Sequence, residues 1–258
     1  MDHEAEYNNR ARVPGHPAVM ARWKAEAEAY RAVSPPRVVA YGPGAREVME
    51  LFPAGDGAAW AIFIHGGYWQ TLDGGWFSWV ARALNSHGVG VAIPTYDLCP
   101  AVRVADIIGQ VRAACDALTA ETGGAPVVSG HSAGGQLAAC LLSDGRARSA
   151  VAISGVFDLE PLIPTSLNAA LRLDAVEARA ASPIHWPVPQ GAVLDCVVGG
   201  DESPEFLRQS RDMAEVWGAA GARTRFETLP GLNHFTVLDP LFDGNSALVR
   251  RLVELAKA

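Results

Sequence analysis

Segments typical of strands alternate with segments typical of helices along most of this chain, and this alternation limits the folds open to it. Short runs rich in β-branched and other apolar residues occur at residues 37–41, 47–52, 60–64, 89–95, 126–129, 150–154, 192–198 and 224–229. Amphipathic stretches of helical length occur at residues 75–87, 104–121, 132–144, 204–220 and 245–256. Such alternation favours a mostly parallel sheet with helices on both faces. We therefore expect an α/β protein with an eight-stranded sheet.

Three regions depart from the regular alternation. No helix separates the first two predicted strands, which indicates an antiparallel start to the sheet. Residues 1–34 are predicted to form a helical N-terminal arm, and residues 159–182 an inserted helical segment that could cap a site. No composition shift marks a linker, so we expect one domain over residues 1–258.

Composition excludes several classes of partner. The net charge of -7 comes from acidic and basic residues scattered along the chain, with no basic stripe to bind nucleic acid. The N-terminus is acidic and polar, unlike a secretory signal, and no apolar run approaches the ~20 residues of a membrane span. These features predict a cytoplasmic protein that binds neither nucleic acid nor membrane. They carry no indication of its oligomeric state.

The four cysteines are also informative. They lie far apart in the sequence and show neither CxxC spacing nor neighbouring histidines. We therefore expect no metal site, and thiols that stay reduced in the core.

The segment VVSGHSAGGQLAA contains the clearest chemical motif. A β-rich run ends in Gly130-His131-Ser132-Ala133-Gly134, which fits the pattern G-x-S-x-G, and an Ala/Leu-rich helix follows. In that pattern the serine lies on a sharp turn between strand and helix, where flanking glycines avoid a clash with neighbouring backbone. Small residues also occur in ordinary strand–helix turns. The strand before and the helix after nevertheless favour Ser132 as a nucleophile.

A serine nucleophile needs a base, and the base needs an orienting acid. The expected chain order is serine, acid, histidine, with the acid after a late strand and the histidine before the last helix. Asp201 follows the predicted strand at residues 192–198, and His234 follows the one at residues 224–229. Glu202 could carry the same charge as Asp201, and either carboxylate could instead cap the next helix.

The stretch HGGYW follows the predicted strand at residues 60–64. An acyl-transfer site needs backbone N–H donors for the oxyanion that forms during the reaction. The N–H of Ala133, directly after the nucleophile, supplies one donor, and glycine-rich backbone after an earlier strand supplies the others. We predict Gly67 and Tyr68 as those donors. A Gly-Gly pair after a strand can also be a plain turn.

These motifs together resemble the α/β-hydrolase superfamily, and within it the group of kynurenine formamidases, whose oxyanion loop reads HGGxW. HGGYW, GHSAGG, YDLCP, DESPEFLRQS and NHF all resemble that pattern, and the similarity spans nearly the whole chain. The resemblance implies a triad of Ser132, His234 and Asp201 that works without a cofactor. The extra acidic residue in DES departs from the pattern and leaves open which carboxylate acts.

The resemblance implies hydrolysis of an aryl formamide such as N-formyl-L-kynurenine, to kynurenine and formate. Aromatic residues beside the motifs, namely Tyr68, Trp69, Phe157 and Phe235, could form an apolar wall for the ring of such a substrate, although aromatics near strand ends are often core residues. The same machinery would cleave small esters, so a general carboxylesterase is an alternative. A ligand receptor with little turnover is a further alternative from a different class.

Overall fold

The sheet has the predicted number of strands and is parallel over most of its width. The structure is a computed structural model that describes residues 2–258. The strands in chain order are β1 (Arg37–Ala40), β2 (Val48–Phe52), β3 (Ala59–Ile64), β4 (Val89–Pro94), β5 (Val127–His131), β6 (Ser149–Ile153), β7 (Val193–Gly199) and β8 (Arg223–Leu229). They are arranged in the order β1-β2-β4-β3-β5-β6-β7-β8. Strand β2 pairs antiparallel with both β1 and β4, and every other pair is parallel.

Helices cover both faces of this sheet. In chain order they are α1 (His3–Tyr7), α2 (Asn9–Arg12), α3 (His16–Val33), α4 (Val80–Asn85), α5 (Val104–Thr122), α6 (Ala133–Ser143), α7 (Asn168–Leu171), α8 (Ala175–Ala180), α9 (Pro204–Ala219) and α10 (Ala247–Lys257). Buried side chains of α5, α6 and α9 form the core on one face, and those of α3, α4 and α10 form the core on the other. Burial on both faces explains why the central strands read as continuous apolar runs.

The α/β prediction and the antiparallel start are confirmed, and one helix is shorter than expected. In place of a helix over residues 75–87, a 3₁₀ turn at Gly74–Trp76 precedes α4. Arg31 of α3 donates to the Gly75 carbonyl and to Ser78 Oγ, and Ser78 Oγ donates to Glu50. These bonds hold residues 75–78 in a turn, because a polar cluster competes locally with helical hydrogen bonding.

Parallel packing brings several strand ends to one edge of the sheet. Strands β3, β5, β6, β7 and β8 run in the same direction, so their carboxyl ends meet there. In open α/β sheets this edge is where ligands bind. The HGGYW loop follows β3, Ser132 follows β5, and His234 lies in the loop after β8.

The four cysteines lie in the core, as their spacing and composition predicted. All four cysteines are buried and free. Burial raises the pKa of Cys99 to about 11 and of Cys115 to about 12, which keeps both thiols protonated and unreactive. Among residues 2–258, no helix combines the length and hydrophobicity needed to cross a bilayer.

A buried ion pair joins the sheet to the last helix. Asp195 of β7 is almost fully buried and accepts two hydrogen bonds from Arg251 of α10, at 2.7 and 3.2 Å. We expect Arg251→Ala to lower the free energy of unfolding by about 3 kcal/mol, because it leaves a buried carboxylate without its partner. Urea unfolding checks this, with Arg250→Ala on the exposed side of α10 as the control. Equal losses in the two variants would contradict the interpretation.

Candidate active site

Ser132 occupies a strained turn between β5 and α6. Its backbone angles are φ 57° and ψ −119°, a combination that side-chain-bearing residues rarely adopt. The turn requires close backbone contact, because a Cβ on Gly130 would lie 2.2 Å from the Gly134 carbonyl oxygen and one on Gly134 would lie 2.0 Å from the Ile64 carbonyl oxygen. The two glycines of the motif are therefore needed sterically, and they place the serine at the start of a buried helix.

A hydrogen-bonded chain runs from the serine through the histidine to a carboxylate. Ser132 Oγ lies 3.1 Å from His234 Nε2, and His234 Nδ1 lies 2.6 Å from Glu202 Oε2. The His234 side chain is 7% exposed and that of Glu202 is 0% exposed, so water does not weaken this contact. With Nδ1–H donating to the carboxylate, Nε2 is left to accept the serine proton.

The prediction that Asp201 orients His234 is wrong. The Asp201 side chain is exposed, and Glu202, the next residue, contacts the histidine instead. Glu202 Oε1 accepts hydrogen bonds from the Gly199 N–H at 2.8 Å and from Ser154 Oγ. The chain turns sharply after β7, with the Glu202 N–H donating to the Gly199 carbonyl, and this turn directs the second carboxylate inward.

Two other buried histidines, His131 and His65, make contacts with backbone carbonyls next to the site. His131 Nε2 lies 2.8 Å from the carbonyl oxygen of His234, which ties the histidine loop to the strand that carries the serine. Burial holds the pKa of His131 well below 6.5, so its ring is neutral and donates that bond. His65 lies 2.8 Å through Nδ1 from the Gly66 carbonyl and stacks on Tyr96, and burial lowers its pKa to about 3.

The HGGYW loop carries free backbone donors close to the serine. A Cβ on Gly66 would lie 3.0 Å from Ser132 Cβ, so the loop passes directly beside the nucleophile candidate. Gly67, Tyr68 and Trp69 all have positive φ, at 106°, 51° and 57°. Within residues 2–258 the N–H groups of Gly67 and Tyr68 donate to no backbone carbonyl. Ala133 begins α6, where intrahelical bonding leaves the N–H free.

Of the four aromatic residues predicted to form a substrate wall, two line the cavity and two do not. Tyr68 and Phe235 line it. Trp69 is fully buried in the core, and its indole N–H donates to Gln136 of α6 at 3.3 Å. Phe157 is also fully buried and packs in the same core. For Trp69 and Phe157 the prediction is therefore wrong, and Trp69 instead fastens the loop to the helix that follows Ser132.

The cavity above Ser132 has a volume of about 270 Å³ and is bordered by two segments outside the sheet. The N-terminal arm and the segment between β6 and β7 both contribute to its wall. Its lining residues are Glu4, Tyr7, Asn8, Asn9, Arg10, Met20, Trp23, Gly67, Tyr68, Gln70, Thr71, Leu72, His131, Ser132, Thr165, Ser166, Leu167, His234 and Phe235. The two segments meet where Ser166 donates to the Glu4 carboxylate from its N–H at 2.7 Å and from Oγ at 2.8 Å.

The described side chains offer no obvious metal site. Among residues 2–258, no three His, Cys, Asp or Glu side chains lie close enough together to hold an ion.

Comparison with known proteins agrees with the observed fold. A crystal structure of a putative thioesterase from Silicibacter sp. TM1040 is 36% identical, superposes with a TM-score of 0.88 and covers all of both chains. A model of the alpha/beta hydrolase fold family matches residues 61–179. The chain belongs to the α/β-hydrolase family. An esterase from Pyrobaculum calidifontis, with a TM-score of 0.73 and 17% identity over 93% of this chain and 92% of its own, shares the fold.

Two named relatives of this α/β-hydrolase bear the name of the group that its motifs resemble. Kynurenine formamidase of Salmo salar is 29% identical and aligns with 84% of this chain and 80% of the salmon protein. Kynurenine formamidase of Drosophila melanogaster is 28% identical and aligns with 77% of this chain and 74% of its own. The predicted similarity to this group is confirmed.

Sequence reasoning missed the contribution of the N-terminal arm to the site. Tyr7, Asn9 and Trp23 of the arm line the cavity of this α/β-hydrolase. No motif marks them, and the polar, acidic start of the chain gave no reason to place it over the nucleophile. Ser154 was also missed, although it ends the predicted strand beside the one that leads to the acid.

The two neighbouring carboxylates provide a test of the acid. We expect Glu202→Gln to lower kcat by about 10³ to 10⁴-fold, because the amide cannot hold His234 in the required tautomer or stabilise its charged form. Asp201→Asn is the matched control. Its kcat should stay within about twofold of the wild-type value, because solvent and salt screen the effect of an exposed carboxylate on His234. Steady-state rates on an activated ester measure both. A larger loss of kcat in Asp201→Asn than in Glu202→Gln would instead support Asp201 as the residue that orients His234.

The buried neutral histidines predict a pH dependence of stability. The folded protein holds the pKa of His65 and His131 below 6.5, so the unfolded chain binds more protons once the pH falls below that value. The free energy of unfolding should therefore fall with pH below 6.5, by up to about 1.4 kcal/mol per pH unit for each ring. Urea unfolding between pH 7.5 and 5.5 checks this. His65→Asn should give a shallower slope, and an unchanged slope would contradict the assignment.

Proposed function

We propose that this protein is a serine hydrolase that cleaves an aryl formamide such as N-formyl-L-kynurenine to kynurenine and formate. The observation that carries the proposal is the Ser132–His234–Glu202 hydrogen-bonded chain beside free N–H groups. The named relatives from salmon and fly support the formamide as substrate. We further propose one domain, in which residues 1–34 and 159–182 close the cavity, and a cytoplasmic location.

In the first half of the reaction, Ser132 Oγ attacks the formyl carbon and His234 Nε2 takes its proton. The carbonyl oxygen becomes an oxyanion, and the N–H groups of Gly67, Tyr68 and Ala133 stabilise it. Glu202 holds the ring of His234 and stabilises its positive charge. The C–N bond then breaks as His234 gives the proton to the departing aryl amine.

In the second half, water hydrolyses the formyl-serine. His234 takes a proton from the water, hydroxide attacks the formyl carbon, and the C–Oγ bond breaks as the proton returns to Ser132. The products are formate and the free enzyme. An aryl amine leaves more readily than an alkyl amine because its nitrogen is conjugated to the ring, so machinery suited to esters is sufficient for this amide.

The composition of the cavity wall is compatible with an aromatic amino-acid substrate. Trp23 and Phe235 present a largely apolar surface, with ring centroids 6.1 Å apart. Arg10 is exposed to solvent and lies in the lining of the cavity. A guanidinium in this position could pair with a substrate carboxylate.

The alternative is a carboxylesterase or thioesterase. The putative thioesterase from Silicibacter sp. TM1040 matches the whole chain at higher identity than the formamidases do. The same hydrogen-bonded chain would serve an ester, a thioester or a formamide, because the pocket and not the fold determines the leaving group. Direct comparison of substrates therefore decides between the two activities.

We expect kcat/KM on N-formyl-L-kynurenine to exceed that on p-nitrophenyl acetate and phenyl thioacetate by at least about tenfold, or ~1.4 kcal/mol of transition-state stabilisation. Ser132→Ala should abolish hydrolysis of all three, which controls for a contaminating enzyme. Faster cleavage of the ester or the thioester would replace the formamidase proposal with the corresponding esterase. If no substrate is turned over and a fluorophosphonate probe does not label Ser132, a ligand receptor becomes the better interpretation.

A further inference from the structure

The side chain of Tyr68 connects the oxyanion loop to the N-terminal arm. Its hydroxyl donates to the Tyr7 carbonyl at 2.7 Å and accepts from Asn9 Nδ2 at 3.1 Å. Burial raises the pKa of this hydroxyl well above 10, so it remains protonated and able to donate. The connection depends on the hydroxyl group, because a phenylalanine in the same place could make neither hydrogen bond.

The arm in turn is fixed to the helix that follows Glu202. Tyr7 Oη donates to Glu205 Oε2 at 2.8 Å and accepts from Gln209 Nε2 at 2.9 Å, both on α9. Glu205 also pairs with Arg208 on the same helix. The loop after β3 is thus joined, through two tyrosines, to the helix that starts two residues beyond Glu202.

The backbone of Tyr68 needs such support. A bulky residue with φ at 51° lies in a region that is unfavourable for side-chain-bearing residues and persists only where surrounding contacts hold it. Trp69, next in the chain, is also at positive φ and is held by Gln136 and by the Cys99 N–H that donates to its carbonyl at 2.8 Å. The loop is therefore fastened on the side of α6 by Trp69 and on the side of the arm by Tyr68.

We infer that the Tyr68 hydroxyl is a positioning group, through which the N-terminal arm holds the Tyr68 N–H in the orientation that binds the oxyanion. This inference rests on the proposed role of Ser132 as nucleophile, but not on a formamide as substrate. Asn9 shares the role because it completes the hydrogen bonding of the hydroxyl. The effect acts on the transition state, since an oxyanion exists there and not in the bound substrate.

The test compares Tyr68→Phe and Asn9→Ala with Tyr41→Phe as the matched control. Tyr41 also donates its hydroxyl to a backbone carbonyl, that of Thr95, away from the cavity lining. Rates are measured on p-nitrophenyl acetate and on N-formyl-L-kynurenine, with thermal unfolding of each variant alongside. We expect Tyr68→Phe to lower kcat about tenfold with KM within about twofold, because a small displacement of one donor weakens transition-state binding. Asn9→Ala should change kcat in the same direction, and Tyr41→Phe should leave it unchanged.

Two results would overturn the inference. An unchanged kcat in Tyr68→Phe, with a fall in melting temperature like that of Tyr41→Phe, would mean that the hydroxyl serves stability alone. A rise in KM with kcat intact would mean that it contacts the substrate instead. Wild-type activity on the ester without activity on the formamide would count against the proposed substrate, while the ester rates would still decide the role of Tyr68.

Discussion

Direct contact between backbone segments at the end of β3 and the start of α6 is the constraint on which the rest of the site depends. No side chain fits at Gly134, because the Ile64 carbonyl lies where its Cβ would be. This contact places the residues after Ile64 beside Ser132, and so brings the HGGYW loop and the nucleophile candidate together without any side chain between them. The strain of the serine backbone persists because both flanking segments are buried and hydrogen-bonded.

The two aromatic residues of HGGYW were both predicted to form a wall for the substrate ring, but their side chains also make structural contacts. They lie beside the nucleophile candidate, yet Trp69 points into the core and the Tyr68 hydroxyl is bonded to the arm. Both residues follow Gly67 and, like it, have positive φ, so this segment lacks the backbone hydrogen bonds of a helix or strand. The hydrogen bonds of the Tyr68 and Trp69 side chains hold this segment to the arm and to α6. The bare backbone of Gly67 and the two aromatic side chains that follow it therefore belong to the same structural feature.

Much of this architecture follows from local pattern, and the exceptions share a cause. Strand runs, the serine turn and His234 could be predicted, because periodicity and steric demands at glycine act within a few residues. The contact of Glu202, rather than Asp201, with His234 could not be predicted. It depends on hydrogen bonds that Glu202 accepts from the Gly199 N–H and from Ser154 Oγ, and the pairing of β6 with β7 brings these two donors together. The same holds for the arm, whose contacts with the cavity join residues far apart in sequence.

The separation between Tyr7 and Glu205, 198 residues along the chain, has a consequence for the order in which the protein is made. A ribosome makes the arm well before α9, the surface on which the arm docks. Until α9 has been made, the arm cannot form its hydrogen bonds with that helix, and the HGGYW loop lacks the support that the docked arm gives it. The contact between the arm and α9 can therefore form only after residue 205 has been synthesised, so the anchor of Tyr68 on the arm depends on a helix made late in synthesis.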